Sequence, residues 1–302
     1  MPISRTLITD HHLYQFKMGY ILASILASTL ILVLFRWMEH SKAVTRHSIV
    51  VSYLASTAAG LILFDVDWSL SSQGWFLPAA IEGVGFYLVF RMMALTTQLT
   101  GITVASIATK MSVVIPTLIG IFALDESANV LKVGGLIFGI LSVFLAAGTR
   151  VKVAKWFLPL LVFLCTGLID ASFKLFQIWG LTDAQFPGFV ITIFGFAFIA
   201  GGVHHILQPD RMINRVSVAS GVVLGLANLG TVYFVLKALA QPGWESSIVF
   251  PLNNFGIVMA STLTAIVFFG ERPAATTKLS LCFAAIAIYC CMQRVSNLPT
   301  GI

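Results

Sequence analysis

Charge is what this chain most lacks. Its 302 residues carry 12 acidic and 18 basic side chains, 10% in all, where a soluble globular chain carries about a quarter. That scarcity excludes an ordinary solvated domain. Cysteine is scarce as well. The four present, Cys165, Cys282, Cys290 and Cys291, fall in apolar stretches without metal-ligand spacing, so neither a disulfide framework nor a metal site is expected. There is no phosphate-cradling glycine loop, no H-E-x-x-H and no nucleophile elbow. The net charge of +6 is spread over short loops and not gathered into a stripe, so no nucleic-acid partner is expected. The expectation is a protein that is not an enzyme and carries neither cofactor nor metal.

Apolar sequence is what the chain has in excess: 58% of residues, with a mean hydropathy of +0.94. It falls in continuous blocks near the ~20 residues that a helix needs to cross a bilayer. A membrane barrel would alternate apolar and polar residues, and these blocks do not. Ten spans are predicted, over 18–36, 46–64, 75–95, 101–123, 130–148, 155–176, 185–207, 216–240, 246–269 and 276–292. Residues 1–17 form a polar N-terminal segment and 293–302 a short tail. The apolar stretch after the basic leader runs on to Phe35 and ends at Arg36-Trp37 without a small-residue cleavage site, so it reads as a retained first helix. Trp37, Trp68, Trp75, Trp156, Trp179 and Trp244 fall at span ends, as an aromatic belt at the headgroup level would.

The blocks repeat. Phe86-Tyr87-Leu88-Val89-Phe90-Arg91 answers Val232-Tyr233-Phe234-Val235-Leu236-Lys237 at an offset of 146, and Phe122-Ala123-Leu124-Asp125-Glu126 answers Val267-Phe268-Phe269-Gly270-Glu271 at 145. The repeat units, 18–148 and 155–292, each hold five spans, an odd number, so the second enters the membrane from the opposite side. Such inverted repeats are the architecture of many secondary transporters, with substrate held near the midplane between the repeats. The fold class expected is an all-α integral membrane protein with two inverted five-helix repeats.

The run Lys110-Met111-Ser112-Val113-Val114-Ile115-Pro116, the acid-terminated ends Leu124-Asp125-Glu126 and Phe269-Gly270-Glu271, and the 5+5 layout resemble the drug/metabolite transporter superfamily, and within it the EamA type, over essentially the full ten-helix length. The resemblance implies a secondary carrier of small molecules, often an exporter of amino acids or other metabolites, without ATP hydrolysis. It also implies termini inside the cell. Loop charge points the other way. Loops after odd-numbered spans hold eleven basic residues against six on the opposite side, which puts the odd loops in the cytoplasm and the termini outside.

Ionisable groups inside spans mark function by default. Glu82 in span three and Lys110 in span four lie near mid-span, and the repeat sets Asn228, Asn253 and Asn254 at matching depth. These five are the expected substrate site: acid and base would hold a zwitterion, and the asparagines would orient it. Glu82 is also the candidate coupling site, because a buried carboxyl's protonation responds to a lysine moving beside it. Asp170 is a second candidate, although its i, i+4 spacing to Lys174 also fits a local ion pair. The partners expected are a small-molecule substrate, the lipid bilayer and a proton or other coupling ion, in a cell membrane that would be the inner one in a bacterium. The alternatives are a membrane-embedded enzyme or a channel. Pro116 and Pro251 should kink spans four and nine. Gly135-x-x-x-Gly139 and Gly221-x-x-x-Gly225 should let helices approach closely within the bundle. His204-His205 and His11-His12 read as interfacial residues with side chains about 100° apart.

Overall fold

Continuous apolar sequence in a chain with few charges can satisfy its backbone only by helices, and helices are what form. They are α1 (Ile3–Glu39), α2 (Thr45–Leu63), α3 (Phe76–Thr100), α4 (Ile102–Met111), α5 (Val114–Ala123), α6 (Val130–Ala147), α7 (Phe157–Ile178), α8 (Phe186–Ile206), α9 (Arg215–Leu239), α10 (Ser246–Phe269) and α11 (Ala275–Met292). The computed structural model describes residues 3–64, 66, 74–123, 130–147, 157–178, 182, 184–209, 212–239 and 246–292, with 3–17, Lys132, Lys174 and Pro251 among those described as backbone only. Among the described residues seven segments are long and apolar enough to cross a membrane, Met18–Glu39 and Ile102–Phe122 being two of them. Three shorter apolar helices accompany them: Val133–Ala146, Phe157–Phe173 and Ala275–Cys290. The chain is a multi-pass helical membrane protein. Its outward faces are rich in exposed aliphatic residues such as Leu26, Ile62, Leu77 and Leu263, while Ser24, Ser48, Ser106 and Ser261 are buried.

Helix α1 begins at Ile3, within the polar N-terminal segment, and its membrane-spanning part starts at Met18, where the first span was expected. One expectation needs correction. Trp75 does not face the headgroups. It is buried in an aromatic core against Phe189, 6.2 Å between ring centroids, because it stands at the start of α3 where α8 crosses closely at Gly188. Trp37 is exposed as expected; Trp68, Trp156, Trp179 and Trp244 lie outside the described residues. The span expected at 101–123 is present as Ile102–Phe122, and it breaks into two helices near Pro116, as expected. Pro116 has no N–H for the carbonyl of Ser112, and its ring would clash with that carbonyl in a straight helix. The Ser112 carbonyl accepts instead from the amide of Ile115 at 2.9 Å, a tighter turn, and α5 starts afresh at Val114.

Small residues set the packing. Gly221 and Gly225 lie so close to α2 that a Cβ would stand 2.7 Å from the Ser48 carbonyl oxygen and 2.3 Å from that of Ser52. Hydrogen bonds at 2.9 Å from Ser56 Oγ to the Gly225 carbonyl, and between Ser48 and Ser220 hydroxyls, fasten the same crossing. Gly83 and Gly201 do likewise between α3 and α8. α6 lies along α11, where Ser280 Oγ donates to the Ser142 carbonyl at 2.8 Å. Among the described residues two large apolar cores result, one built mainly from α1, α2, α3, α8 and α9 and the other from α4 to α7, α10 and α11, with smaller clusters joining α1 to α4 and α10 and α1 to α9 and α10. Each draws on both halves of the sequence.

Gly101 and Glu271 tie the cores at one end. A single residue, Gly101, joins α3 to α4 at φ +97°, a conformation that suits glycine. The carboxylate of Glu271 accepts the Ile102 N–H at 2.8 Å and the Thr103 hydroxyl at 3.3 Å, placing an anion on the positive end of α4. This gives one acid-terminated helix end a structural role; its counterpart Glu126 lies outside the described residues.

Gly225→Ala should lower the melting temperature of detergent-purified protein, since backbone cannot yield to the added methyl, at a cost of about 1–3 kcal/mol. Gly85→Ala, where no heavy atom lies within 4 Å, should be neutral or mildly stabilising. Equal losses in both variants would refute the close crossing.

Candidate functional site

The break between α4 and α5 sits beside the deepest polar cluster. α7 crosses α5 with Gly167 against Ile115, where a Cβ would come within 2.3 Å of the isoleucine side chain. One turn further along α7, Asp170 meets Ser112 at the break, and the Ser112 hydroxyl stands 2.9 Å from Asp170 Oδ2. Ser112 Oγ also lies 2.7 Å from the Thr109 carbonyl, which holds it at the end of α4. Lys110, two residues back, feels the Asp170 charge, although among the described residues no ion pair within 4.0 Å joins them. Two residues beyond Asp170, the Ser172 hydroxyl donates to Glu82 Oε1 on α3, and Glu82 in turn feels Asp170. Three helices thus bring two carboxyls, an ammonium and two hydroxyls together.

Their exposure differs. Glu82 is buried and Lys110 half-buried, while Asp170 is exposed. Several buried polar atoms have no hydrogen-bond partner: Glu82 Oε2, Thr166 Oγ1, Asn228 Nδ2 and Asn253 Oδ1. Buried polar atoms normally find partners; these four lie on α3, α7, α9 and α10, and the Thr29 and Thr262 hydroxyls on α1 and α10 share their state. A separate groove of about 730 Å³, apolar and lined by Val33, Trp37, Arg215 and Phe268, contains none of these groups.

The structure therefore regroups the expected residues. Among the described residues Lys110 forms an ion pair with neither Glu82 nor Asp170; Glu82 bonds Ser172. Asp170 is bonded across the bundle to Ser112; the Lys174 side chain lies outside the described residues. Asn253 is buried on α10, Asn254 is half-buried beside it, and Asn228 is half-buried on α9. Asn253 and Asn254 lie on α10, which packs against α4, whereas Asn228 lies on α9, which packs against α1 and α2. Sequence reasoning missed the roles of Ser112 and Ser172. Serine is common inside membrane helices and carries no mark of its own; the proximity of Ser112 to Pro116 was the one usable signal.

Comparison with known proteins adds likeness of fold. No protein-family model matches the chain. It is 24% identical over 286 residues to an uncharacterized protein of Haemophilus influenzae, an alignment that takes in 90% of this chain and 97% of the other. A solved crystal structure superposes with a TM-score of 0.60 over 95% of this chain and 99% of that one at 12% identity, which shows a shared fold.

Asp170→Asn leaves Lys110 without its opposite charge and should lower the melting temperature, and adding Lys110→Met should restore a good part of the loss. The coupling expected between residues in one network is about 0.5–3 kcal/mol. Strictly additive losses in a double-mutant cycle would show that the two groups ignore each other.

Proposed function

We propose that this chain is a secondary carrier of the drug/metabolite transporter, EamA, kind, moving a small zwitterionic metabolite across the membrane by alternating access. The observation that carries the reading is the broken fourth span, which sets Ser112 against Asp170 with Lys110 two residues from the break. Carriers place substrate at discontinuous helices between inverted repeats.

The repeat reading has support of its own. The three shorter apolar helices added to the seven longer segments make ten, with α4 and α5 as one span. If α1, α2, α3, α4–α5 and α6 are exchanged with α7, α8, α9, α10 and α11, the main packed pairs exchange too. α2 on α9 becomes α8 on α3, and α1 on α10 becomes α7 on α4 and α5. α6 on α11 and α2 on α8 map onto themselves. In this reading 18–148 and 155–292 are the two repeats.

Asp170 would take the substrate's ammonium and Lys110 its carboxylate, with Asn228, Asn253 and Asn254 orienting the rest. Glu82 would carry the coupling proton. One of its oxygens is held by Ser172 and the other is unpartnered, so it can gain a proton without breaking a protein bond. Loop charge places the odd loops in the cytoplasm of the cell membrane.

In proteoliposomes loaded with a panel of amino acids, the parent should show counterflow, exchanging labelled for unlabelled substrate unchanged. Lys110→Met and Asp170→Asn should abolish it. Glu82→Gln should keep exchange at fixed pH and lose uptake driven by a pH gradient. Chemical alteration of the substrate would point to an enzyme, and flux without counterflow to a channel. For orientation, in a background lacking the native cysteines, Lys42→Cys should be protected from an impermeant thiol reagent in intact cells and Thr182→Cys labelled. The reverse pattern would place the odd loops outside.

A further inference from the structure

A second polar cluster lies on the outer flank of the bundle, at the end where the odd loops emerge. Exposed residues run along α3 in a helical stripe: Leu77, Ile81, Leu88 and Leu95 are each more than two fifths exposed. Arg91 falls on this stripe and is exposed as well. α8 continues the apolar surface with Ile199 and Val203, both 53% exposed. A guanidinium on a lipid-facing stripe is costly unless it reaches the interface and meets an anion.

Its neighbours do not supply one. Arg91 Nη1 lies 2.9 Å from His204 Nδ1 and 3.3 Å from Nε2, and 5.9 Å separates the guanidinium from the centre of the Tyr87 ring. The Tyr87 hydroxyl is 2.6 Å from the same Nδ1, and Gln208 Nε2 is 3.2 Å from His204 Nε2. Neutral imidazole has one acceptor nitrogen and imidazolium none, so these donors outnumber what the ring can accept. Arg46, on α2, adds its positive field to His204. Among the described residues no carboxylate pairs with Arg91.

We propose that Arg91 and His204 hold the phosphate of an anionic phospholipid, whose acyl chains lie along Ile81, Leu88 and Ile199. Arginine's fork binds phosphate oxygens in pairs, and the buried Tyr87 holds the His204 ring in place through its hydroxyl. The apolar stripe continuing from Arg91 toward the membrane centre is what favours a lipid over a dissolved anion. The site lies on the more basic face, where cytoplasmic anionic lipids would concentrate if that face is inside.

The test uses full-length protein in neutral detergent, titrated with phosphatidylglycerol, phosphatidylcholine or inorganic phosphate and followed by native mass spectrometry and thermal shift. Phosphatidylglycerol should bind and raise the melting temperature, phosphatidylcholine should do so less, and phosphate alone should do nothing. Arg91→Gln should weaken phosphatidylglycerol binding about fivefold, the loss expected for one cation near an anionic surface. Arg91→Lys keeps the charge but loses the fork and should recover only part of the binding, whereas Lys278→Gln, which removes an exposed charge elsewhere on the same face, should keep most of it. Stabilisation by phosphate alone would overturn the lipid reading in favour of a soluble anion. Equal losses in Arg91→Gln and Lys278→Gln would overturn the site in favour of diffuse attraction. Equal binding of both lipids to the parent would also overturn the proposal, and that comparison needs no variant to fold.

Discussion

Inside a bilayer a backbone carbonyl that loses its helical partner has no water to turn to, and at Ser112 this chain accepts that loss. Pro116 removes the donor, and the turn through Ile115 is the repair. The polar interior follows from that point. The break ends α4 at the depth where Gly167 lets α7 come against Ile115, and this contact carries Asp170 to the freed end. Were the span continuous, Ser112 would sit within an unbroken helical wall and Asp170 would lack its partner across the bundle.

The two cores meet at the same place. Glu82 belongs to α3, which is packed with α8 and α2; Lys110 and Ser112 belong to α4, which is packed with α10 and α6. α7 borders both, giving Phe163 to one core and Phe173 to the other. The Glu82–Ser172 bond therefore joins α3 to the helix that bridges the cores. A relative shift of the two cores would change how Glu82 stands to Asp170 and Lys110, which is the kind of change a coupled carrier needs. The opposite arrangement holds at Glu271, where a carboxylate clamps the start of α4 to the end of α10 and keeps that crossing fixed.

Much of the helix layout could be read in advance because lipid leaves the backbone so few choices. Spans drawn from apolar runs fall within a few residues of the helices, as with 185–207 against Phe186–Ile206. Pro116 announced the irregularity in span four, and the Gly221/Gly225 pair announced a close crossing, although not with which helix. The site was legible only as a list. Glu82, Lys110 and Asp170 stood out because charge is rare in apolar sequence, but which acid answers which base depends on how α3, α4 and α7 rotate about their axes. Arg91 and His204 looked interfacial and unremarkable, since their convergence needs α3 laid along α8.

Sequence by itself determined that this is a helical membrane protein, where the helices run, and which few polar groups the interior must accommodate. These follow from hydropathy and from hydrogen bonding within a single helix, both of which are local. Only the tertiary structure decided that α2 lies along α9 and α3 along α8, so that neither half has a core of its own. It also decided that Asp170 meets Ser112 at the break in the fourth span. Those outcomes depend on which small residues face which neighbours across the bundle, a matter of close contact between segments more than a hundred residues apart, and an apolar run carries almost no record of its partner.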